Sequence, residues 1–372
     1  MNRRRASAIL MTSPFLLSSM LRAAEQPETT AGILEKLRTK HKLPALAVVV
    51  TKGGSICDKA AVGVRKEGDP TPVTIGDRFH IGSCTKSMTA TLAAILIEEG
   101  KVRWDTTIAE ALPELKGRMH PDFEAVTLEM LLRHRGGLPT EALPVAWRRA
   151  WEQTGKPMQQ RKEFISAVLA KAPDSKPGTK YVYSNQGYAV AGAMLEKITG
   201  TAWETLMAEK LFQPLEMKTA GFGVPGKLGK VDEPWGHVVK GGKNTPQQSD
   251  NPPAIGPGGT VHCSLEDLAR FTMLHLRRGA GDKALLKPES FRRLHTPPAG
   301  QDYACGWNRV DRSWAGGNAL THSGSNTMWF AVMWLAPGRD FSVVIGTNVA
   351  GDEAQQACDQ VAAAMIGKWL QG

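Results

Sequence analysis

The spacing of apolar residues divides the chain into a strand-rich beginning, a helix-rich middle and a strand-rich end. Short segments in which apolar residues alternate or run continuously predict four β-strands, at residues 45–51, 55–64, 329–335 and 341–348. Apolar spacings of three and four residues predict amphipathic helices at residues 29–41, 126–134, 161–172, 186–199, 202–211, 265–278 and 353–370. A further helix is predicted to start near Ser83 and to end near Gly100, because glycine often ends a helix.

The strands at the two ends of the chain predict an α+β fold in which both ends join one antiparallel sheet. The terminal helices then flank this sheet, and a mostly helical subdomain is inserted between them. The α/β part comprises residues 25–105 and 255–372, and the helical insertion comprises about 106–254. The boundary predicts a cleft, which is a usual place for a small-molecule site. Residues 221–260 are rich in glycine and proline without a sustained period, so we expect an irregular segment in the position of a lid.

Composition places the chain among ordinary globular proteins, with an export feature at its N-terminus. Apolar residues make up 42% of the 372 residues and charged residues 22%. Residues 1–24 combine arginines at 3–5, an apolar run at 8–21 and small residues at 23–24, which is typical of a signal peptide. The arginine run also resembles a twin-arginine signal. We therefore expect export to the periplasm or the cell exterior, and no other apolar run is long enough to predict a transmembrane span.

Charge and cysteine usage argue against several classes of partner and cofactor. The formal net charge is +10, and removing residues 1–24 takes away four arginines and no acidic residue, which leaves +10 − 4 = +6. The basic residues are scattered, which argues against nucleic-acid binding. Five cysteines without a C-x-x-C pair and nine histidines without an H-E-x-x-H spacing predict no metal site, and no cofactor is expected. These features leave the oligomeric state open.

One glycine-rich segment fits part of a phosphate-binding loop. Residues 221–227 contain the G-x-G-x-x-G spacing followed by Lys227. However, Pro225 interrupts the loop, neither Ser nor Thr follows Lys227, and no predicted strand–helix pair flanks the segment. We therefore expect no nucleotide binding there.

Ser83 and Lys86 are the first candidates for chemistry, because they form the only S-x-x-K in the chain. Residues three apart on a helix lie on the same face, so the hydroxyl and the amine can meet. A serine hydroxyl becomes a strong nucleophile only when a base takes its proton, and a desolvated lysine can serve as that base. The alternative is a helix-capping Ser83 followed by an exposed Lys86. The adjacent Cys84 is interpreted as a small buried thiol rather than as the nucleophile.

Two further groups of polar residues stand before predicted elements. Tyr183 and Asn185 lie at the turn that opens a predicted helix. A phenol near a cation can have a lowered pKa and act as a general base, and an asparagine can hydrogen-bond a substrate amide. The alternative is a half-buried tyrosine with a capping asparagine. His322 and Gly324 precede a predicted strand, where a glycine lets a substrate backbone approach the edge of the sheet.

The order of these segments resembles the serine β-lactamase and penicillin-binding-protein superfamily. The closest resemblance is to the class C β-lactamase branch, with its D,D-peptidase, D-aminopeptidase and esterase relatives, and it covers most of the chain after the predicted signal peptide. The segments that carry it are FHIGSCTKSMTATLAAILIEEGKVRWDTTIAEALPE, LLRHRGGLP, YSNQGYAVAGAMLEKITGTAWETLMAEKLFQPLEMKTAGF, GPGGTVHCSLEDLARF and HSGSNTMWFAVMWL. The family fold that this implies agrees with the α+β arrangement predicted from the pattern.

The resemblance implies a role for each candidate residue. Ser83 would be the acylated nucleophile, and Lys86 and Tyr183 would share proton transfer to and from its hydroxyl. Asn185 would position the substrate amide. The backbone N–H groups of Ser83 and Ser325 would form an oxyanion hole, which stabilises the charge of the tetrahedral intermediate.

His322 departs from the family pattern, because it stands where the family usually has the lysine of a Lys-Thr-Gly motif. Lysine is a permanent cation that attracts a substrate carboxylate, whereas an unperturbed histidine is mostly neutral at pH 7. The sequence His322-x-Gly324 resembles the variant in D-aminopeptidase-like and esterase-like relatives. This departure argues against penicillins and against substrates with a C-terminal carboxylate.

A second tripeptide also resembles a family motif. Ser249-Asp250-Asn251 matches the second motif of class A enzymes, but it lies in the segment rich in glycine and proline. We prefer Tyr183-Ser-Asn185, because it opens a predicted helix.

Together these features predict an exported serine hydrolase that forms an acyl-enzyme on Ser83 and needs no cofactor. The predicted reaction is cleavage of an amide or ester of the β-lactam or D-amino-acid peptide class, in a small molecule or a peptide. A small-ester hydrolase of the same fold is the first alternative. A non-catalytic module that binds a peptide or cell-wall fragment is the second, but such a module does not need to keep Ser83, Lys86, Tyr183 and Asn185 together.

Overall fold

The computed structural model describes residues 28–139, 144–277 and 285–371. The predicted signal peptide lies outside these ranges and stays a prediction. Within the described ranges, no helix combines the length and the apolar character that crossing a bilayer requires.

Eleven strands form three antiparallel sheets in the described part of the chain. The strands are β1 (Ala45–Lys52), β2 (Ser55–Gly63), β3 (Arg78–His80), β4 (Gly221–Phe222), β5 (Gly236–Lys240), β6 (Lys243–Gln247), β7 (Val261–Ser264), β8 (Asn308–Arg312), β9 (Gly317–Ser325), β10 (Phe330–Ala336) and β11 (Phe341–Thr347). The main sheet has the order β2-β1-β11-β10-β9-β8, so β1 from one end of the chain pairs with β11 from the other. The predicted sheet, built from both chain ends, is confirmed.

Twelve α-helices accompany the sheets in the same described ranges. The helices are α1 (Thr30–Lys40), α2 (Thr85–Glu98), α3 (Ile108–Ala111), α4 (Leu128–Leu132), α5 (Pro144–Glu152), α6 (Pro157–Leu169), α7 (Asn185–Thr199), α8 (Trp203–Met207), α9 (Gly256–Gly259), α10 (Leu265–Arg277), α11 (Pro288–His295) and α12 (Asp352–Ile366). The terminal helices α1 and α12 pack against the main sheet, and α3 to α8 lie in the predicted insertion. The α+β architecture predicted from the pattern is therefore confirmed.

The main sheet is buried on both faces, because successive residues of its central strands point to opposite sides. In β1, Leu46, Val48 and Val50 pack in one core with residues of α1 and α12. Ala47 and Val49 face the other way and join a larger core that includes α2, α10 and the helical insertion. This second core fixes the start of α2, which follows the candidate nucleophile, beside the main sheet.

Two stretches differ from the sequence predictions. His322 and Gly324 precede strand β10, as predicted, but they also lie within a further strand, β9, which pairs with β8 and β10 and is therefore not at the sheet edge. The pattern of alternating apolar residues did not predict β9, because its sequence, GNALTHSGS, is mostly polar or small on both faces. Residues 221–260 contain the β5–β6 hairpin and the one-turn helix α9, so the segment is not irregular throughout.

Candidate active site

Ser83 lies in a single 3-10 turn, Gly82–Cys84, between β3 and α2. Gly82 has φ +50°, a left-handed conformation that glycine adopts without strain. The N-cap of α2 is Cys84, without a capping hydrogen bond from a side chain, so the interpretation of Ser83 as a capping serine is wrong. The Cys84 thiol is buried, as predicted, and burial raises its pKa, which makes it a poor nucleophile. Ser83 is thus the partly exposed nucleophile candidate of this turn.

Lys86 is fully buried, and its Nζ contacts three oxygen atoms. Nζ lies 2.9 Å from Ser83 Oγ, 2.7 Å from Asn185 Oδ1 and 2.7 Å from the carbonyl oxygen of Gly258. Burial lowers the pKa of the Lys86 amine to about 7, because desolvation disfavours the ammonium form. A neutral amine has two N–H groups and one lone pair. Since the two carbonyl oxygens can only accept, they take the two N–H groups, and the lone pair is left for the hydroxyl proton of Ser83.

Tyr183 reaches Ser83 from the helical insertion. Its hydroxyl donates to Ser83 Oγ at 2.7 Å across 100 residues of sequence. Ser184 caps α7, so Asn185 is not the cap, and its side chain accepts from Lys86 instead. Burial raises the pKa of the Tyr183 phenol, although 37% of the residue is exposed. This direction is opposite to the lowered pKa expected from the sequence, and it makes the phenol a proton donor before substrate binds.

Gly258 is a partner of Lys86 that sequence analysis did not identify. It contributes a backbone carbonyl from α9, inside the segment predicted as a lid. A backbone carbonyl leaves no mark in the residue type, so no pattern could have found it. Ser249-Asp250-Asn251, the other tripeptide that resembles a family motif, makes no hydrogen bond to Lys86 in the described residues. The side chain of its Asn251 donates instead to the carbonyl of Gly259 at 3.3 Å. The described residues contain no group of three or more possible metal ligands.

His134 holds the segment that carries Tyr183, a role that sequence analysis assigned to no residue. Its carbonyl accepts from the Val182 N–H at 2.8 Å, and its Nδ1 accepts from the Ser184 N–H at 3.1 Å. These two donors are the chain neighbours of Tyr183, whose ring lies 4.3 Å from the His134 ring. Burial lowers the pKa of His134, which keeps Nδ1 available as an acceptor.

An aromatic cluster surrounds this histidine beneath the site. The His134 ring contacts all four tyrosines of the chain, with centroid distances of 5.7, 4.3, 5.2 and 4.8 Å, namely Tyr181, Tyr183, Tyr188 and Tyr303. Lys86 Nζ lies 4.7 Å from the ring centroid of Tyr183 and 5.5 Å from that of Tyr188. The cluster replaces water around the lysine, which is the physical cause of its lowered pKa.

His322 belongs to the wall of this cluster and does not present a cation. It is 4% exposed, with Nδ1 2.6 Å from the carbonyl oxygen of Ser323 and Nε2 3.1 Å from the Tyr303 hydroxyl. Burial lowers the pKa of His322 to about 3, so the ring is neutral at pH 7. The structure thus sharpens the expectation from the sequence, where an unperturbed histidine was already mostly neutral.

Two glycines let β9 pack directly against the turn that holds Ser83. A Cβ on Gly324 would lie 2.1 Å from the Ile81 carbonyl oxygen and 2.3 Å from Ser83 N. A Cβ on Gly82 would lie 2.2 Å from Ser325 N. Real Cβ contacts essentially never fall below 3.0 Å. The two glycines therefore allow direct backbone contact between the turn that holds Ser83 and the end of β9 that carries Ser325.

The amino-acid sequence is similar to those of known proteins of one family. A model of the beta-lactamase family matches residues 30–365. Penicillin-binding protein 4 of Amycolatopsis lactamdurans is 27% identical over 328 residues, which cover 84% of this chain and 83% of that protein.

Solved structures share the same fold. The octameric penicillin-binding protein homologue from Pyrococcus abyssi is similar with a TM-score of 0.75 and 23% identity, over 92% of this chain and 77% of that one. D-alanine carboxypeptidase AmpC from Burkholderia cenocepacia is similar with a TM-score of 0.71 and 21% identity, over 90% of this chain and 97% of that one. The chain therefore belongs to the beta-lactamase family of serine hydrolases and has the fold that this family shares with the penicillin-binding proteins.

Proposed function

We propose that the protein is an exported serine hydrolase that forms an acyl-enzyme on Ser83. One observation carries the proposal: Ser83 Oγ contacts both Lys86 Nζ, at 2.9 Å, and the Tyr183 hydroxyl, at 2.7 Å. A base and a proton donor within hydrogen-bond reach of one hydroxyl are what an activated serine needs. A binding module has no use for this arrangement.

The proposed acylation begins with neutral Lys86. Its lone pair takes the hydroxyl proton of Ser83 while Oγ bonds to the substrate carbonyl carbon, and the C=O electron pair moves onto the oxygen. The backbone N–H groups of Ser83 and Ser325 stabilise this oxyanion. When the intermediate collapses, the leaving group takes a proton from Tyr183, and the phenolate regains a proton from the ammonium of Lys86.

The proposed deacylation runs through the same groups in reverse. A water molecule gives a proton to the Tyr183 oxygen while Tyr183 passes its own proton to Lys86, and the water oxygen attacks the ester carbonyl of the acyl-enzyme, which restores the oxyanion. Collapse then breaks the bond to Ser83 Oγ, and the proton returns to that oxygen. Asn185, whose side-chain oxygen accepts from Lys86, would position the substrate amide during both steps.

Two substrate classes are supported by different observations. The similarity to a penicillin-binding protein and to a D-alanine carboxypeptidase supports a β-lactam or a D-amino-acid peptide. The burial and neutrality of His322 support a small neutral ester as the second candidate, because a neutral ring does not attract a substrate carboxylate.

A substrate panel tests the proposed function. The purified protein is assayed with short-chain aryl esters, nitrocefin and D-aminoacyl amides, beside a Ser83→Ala variant. We expect turnover of at least one class by the wild type and loss of that turnover in Ser83→Ala. If the folded wild type turns over none of the three classes, that result would favour the binding module instead.

A further inference from the structure

We infer that Asp250 is a positioning residue of this site: through His80 and Asn326 it joins the two backbone segments that form the proposed oxyanion hole. The inference rests on the proposed function, because it concerns the step in which a substrate carbonyl gains negative charge. Asp250 belongs to the tripeptide Ser249-Asp250-Asn251, which is not among the hydrogen-bond partners of Lys86 Nζ in the described residues.

We call the chain of contacts from Gly82 through His80 and Asp250 to Asn326 the bridge, and its two halves on either side of Asp250 its arms. The first arm reaches the turn of Ser83. The N–H of Gly82, the residue before Ser83, donates to His80 Nδ1 at 3.1 Å. Because Nδ1 accepts, Nε2 is the nitrogen that carries the ring proton. Nε2 lies 2.7 Å from Asp250 Oδ1, and His80 is fully buried. Nε2 makes no aligned hydrogen bond within the described residues, so the carboxylate supports the ring that holds Gly82 by close contact rather than by a hydrogen bond.

The second arm reaches the turn of Ser325. Asn326, the residue after Ser325, donates from Nδ2 to the same Asp250 Oδ1 at 3.0 Å. Its own Oδ1 accepts from the backbone N–H groups of Met328 and Trp329, both at 3.2 Å. The side chain of Asn326 thus ties the whole β9–β10 turn to the carboxylate. Each proposed oxyanion donor is one residue away from an arm of the bridge.

The Asp250 carboxylate is buried, and its contacts converge on one of its two oxygens. Asp250 is 6% exposed, and its Oδ1 also accepts from the Asn251 N–H at 2.6 Å. Its Oδ2 is buried without a hydrogen-bond partner among the described residues. Burying a carboxylate costs free energy of folding, and the contacts of this one converge on a single oxygen atom. Because both arms end on that oxygen, the carboxylate can hold the two turns at a fixed separation.

The bridge complements the contact of the two glycines. Gly82 and Gly324 set how closely the backbones of the two turns approach. Contact by itself prevents closer approach but does not prevent separation. The bridge from Gly82 through His80 and Asp250 to Asn326 resists separation and twisting, which keeps the two N–H groups aimed at one point. Misplacement of such a donor by about 1 Å is enough to cost catalysis.

A pair of matched substrates separates this role from general support of the fold. An aryl ester and its thionoester differ only in the carbonyl atom, which is oxygen in one and sulfur in the other. Sulfur is larger and accepts hydrogen bonds more weakly, so its tetrahedral intermediate gains less from two well-placed donors. Loosening the oxyanion hole therefore lowers kcat/KM for the ester more than for the thionoester. Partial unfolding lowers both rates together and leaves their ratio unchanged.

The experiment measures the ester-to-thionoester ratio of kcat/KM in four variants of the full chain, with the folded fraction taken from thermal denaturation. Complete loss of one oxyanion donor lowers kcat by about 10²–10³. A donor that is only misplaced should cost less, so we expect Asp250→Ala to lower the ratio by about tenfold or more. Asp250→Asn keeps a carbonyl oxygen for both arms and should keep most of the ratio. His80→Asn can still accept from the Gly82 N–H but cannot reach Asp250, so it should lower the ratio even if Asp250→Ala fails to fold. Asp311→Ala, on an exposed aspartate of β8, is the control.

The outcomes are distinguishable. A ratio unchanged from wild type in folded Asp250→Ala or His80→Asn overturns the inference while leaving the proposed function intact. A ratio as low in Asp250→Asn as in Asp250→Ala also overturns it, because the bridge needs only an acceptor oxygen. If the wild type hydrolyses neither ester and turns over no other class of the substrate panel, the proposed function and this inference fall together.

Discussion

Substitution of Gly324 by alanine tests the proposed oxyanion hole at the point of closest packing. Gly324 lies in β9, and an added Cβ would stand 2.1 Å from the Ile81 carbonyl oxygen and 2.3 Å from Ser83 N. Contacts of a real Cβ essentially never fall below 3.0 Å. The turn and the strand must therefore separate by 3.0 − 2.1 = 0.9 Å to accept the methyl group. Both partners are backbone atoms, so no side-chain rotation can relieve the contact.

The size of this shift sets the expected loss of activity. A hydrogen bond of about 2.9 Å that lengthens by about 0.9 Å reaches about 3.8 Å, which is beyond hydrogen-bonding distance. Loss of one oxyanion donor costs about 10²–10³ in kcat, or about 2.7–4 kcal/mol of transition-state stabilisation. KM should change much less, because the donors act mainly on the charge that develops after binding.

The assay is steady-state hydrolysis of an aryl ester, with thermal denaturation to confirm the fold. Gly338→Ala is the matched control, because a Cβ on this exposed glycine would meet its nearest neighbour, the Ala315 carbonyl oxygen, at an ordinary 3.4 Å. We expect the control to keep wild-type kcat and Gly324→Ala to lose about 10²-fold or more. A folded Gly324→Ala with kcat within about twofold of wild type would refute the oxyanion geometry.

Three further predictions concern proton transfer. Burial lowers the pKa of Lys86 to about 7, and only the neutral amine takes the serine proton, so kcat/KM should rise with pH and reach a plateau above about pH 7. A pH profile of kcat/KM without an inflection near pH 7 would contradict this. Tyr183→Phe should lower kcat by about 10²–10⁴ without changing the melting temperature, and near-normal turnover would remove the phenol from the mechanism. His134→Ala should lower kcat of the wild type but lower kcat of Tyr183→Phe little further, whereas His134→Asn should keep more activity because asparagine offers an acceptor and tolerates φ +55°. Additive losses in the double variant would show that His134 does not act through Tyr183.

Local spacing was enough to predict part of the site. Ser83 and Lys86 are three residues apart, so their contact follows from the geometry of a helix start. Their partners Tyr183 and Asn185 lie about 100 residues away, and no local pattern relates the two pairs. That relation came from the resemblance to a family, and the structure supplies the distances.

Other parts of the site lacked a sequence signal for physical reasons. Gly258 acts through a backbone carbonyl, which every residue type has. Asp250 stands in a segment without hydrophobic periodicity, and its partners, His80 in β3 and Asn326 in the β9–β10 turn, are distant from it in sequence. Strand β9 is mostly polar or small, because one side of it approaches the nucleophile turn rather than an apolar core, so the alternation that identified β1 and β11 is missing.

The direction of two pKa shifts also depended on the three-dimensional surroundings. A tyrosine near a lysine suggested a lowered phenol pKa, but burial raises the pKa of Tyr183 and lowers that of Lys86 instead. With a pKa of about 7 the lysine is charged for only about half of the time at pH 7, so it offers less positive charge to stabilise a phenolate than an ordinary lysine. The proposed assignment of base and proton donor therefore rests on burial, which residue types do not reveal.

The central claim is that Ser83 becomes covalently acylated, and intact-protein mass spectrometry tests it most directly. The wild type and Ser83→Ala are incubated with an activated aryl ester, and with a penicillin in a parallel sample, then digested and mapped. We predict a single added acyl group in the wild type, on the peptide that contains Ser83, and none in the variant. An unmodified wild type with every acylating agent, or an adduct on another residue, would contradict the account.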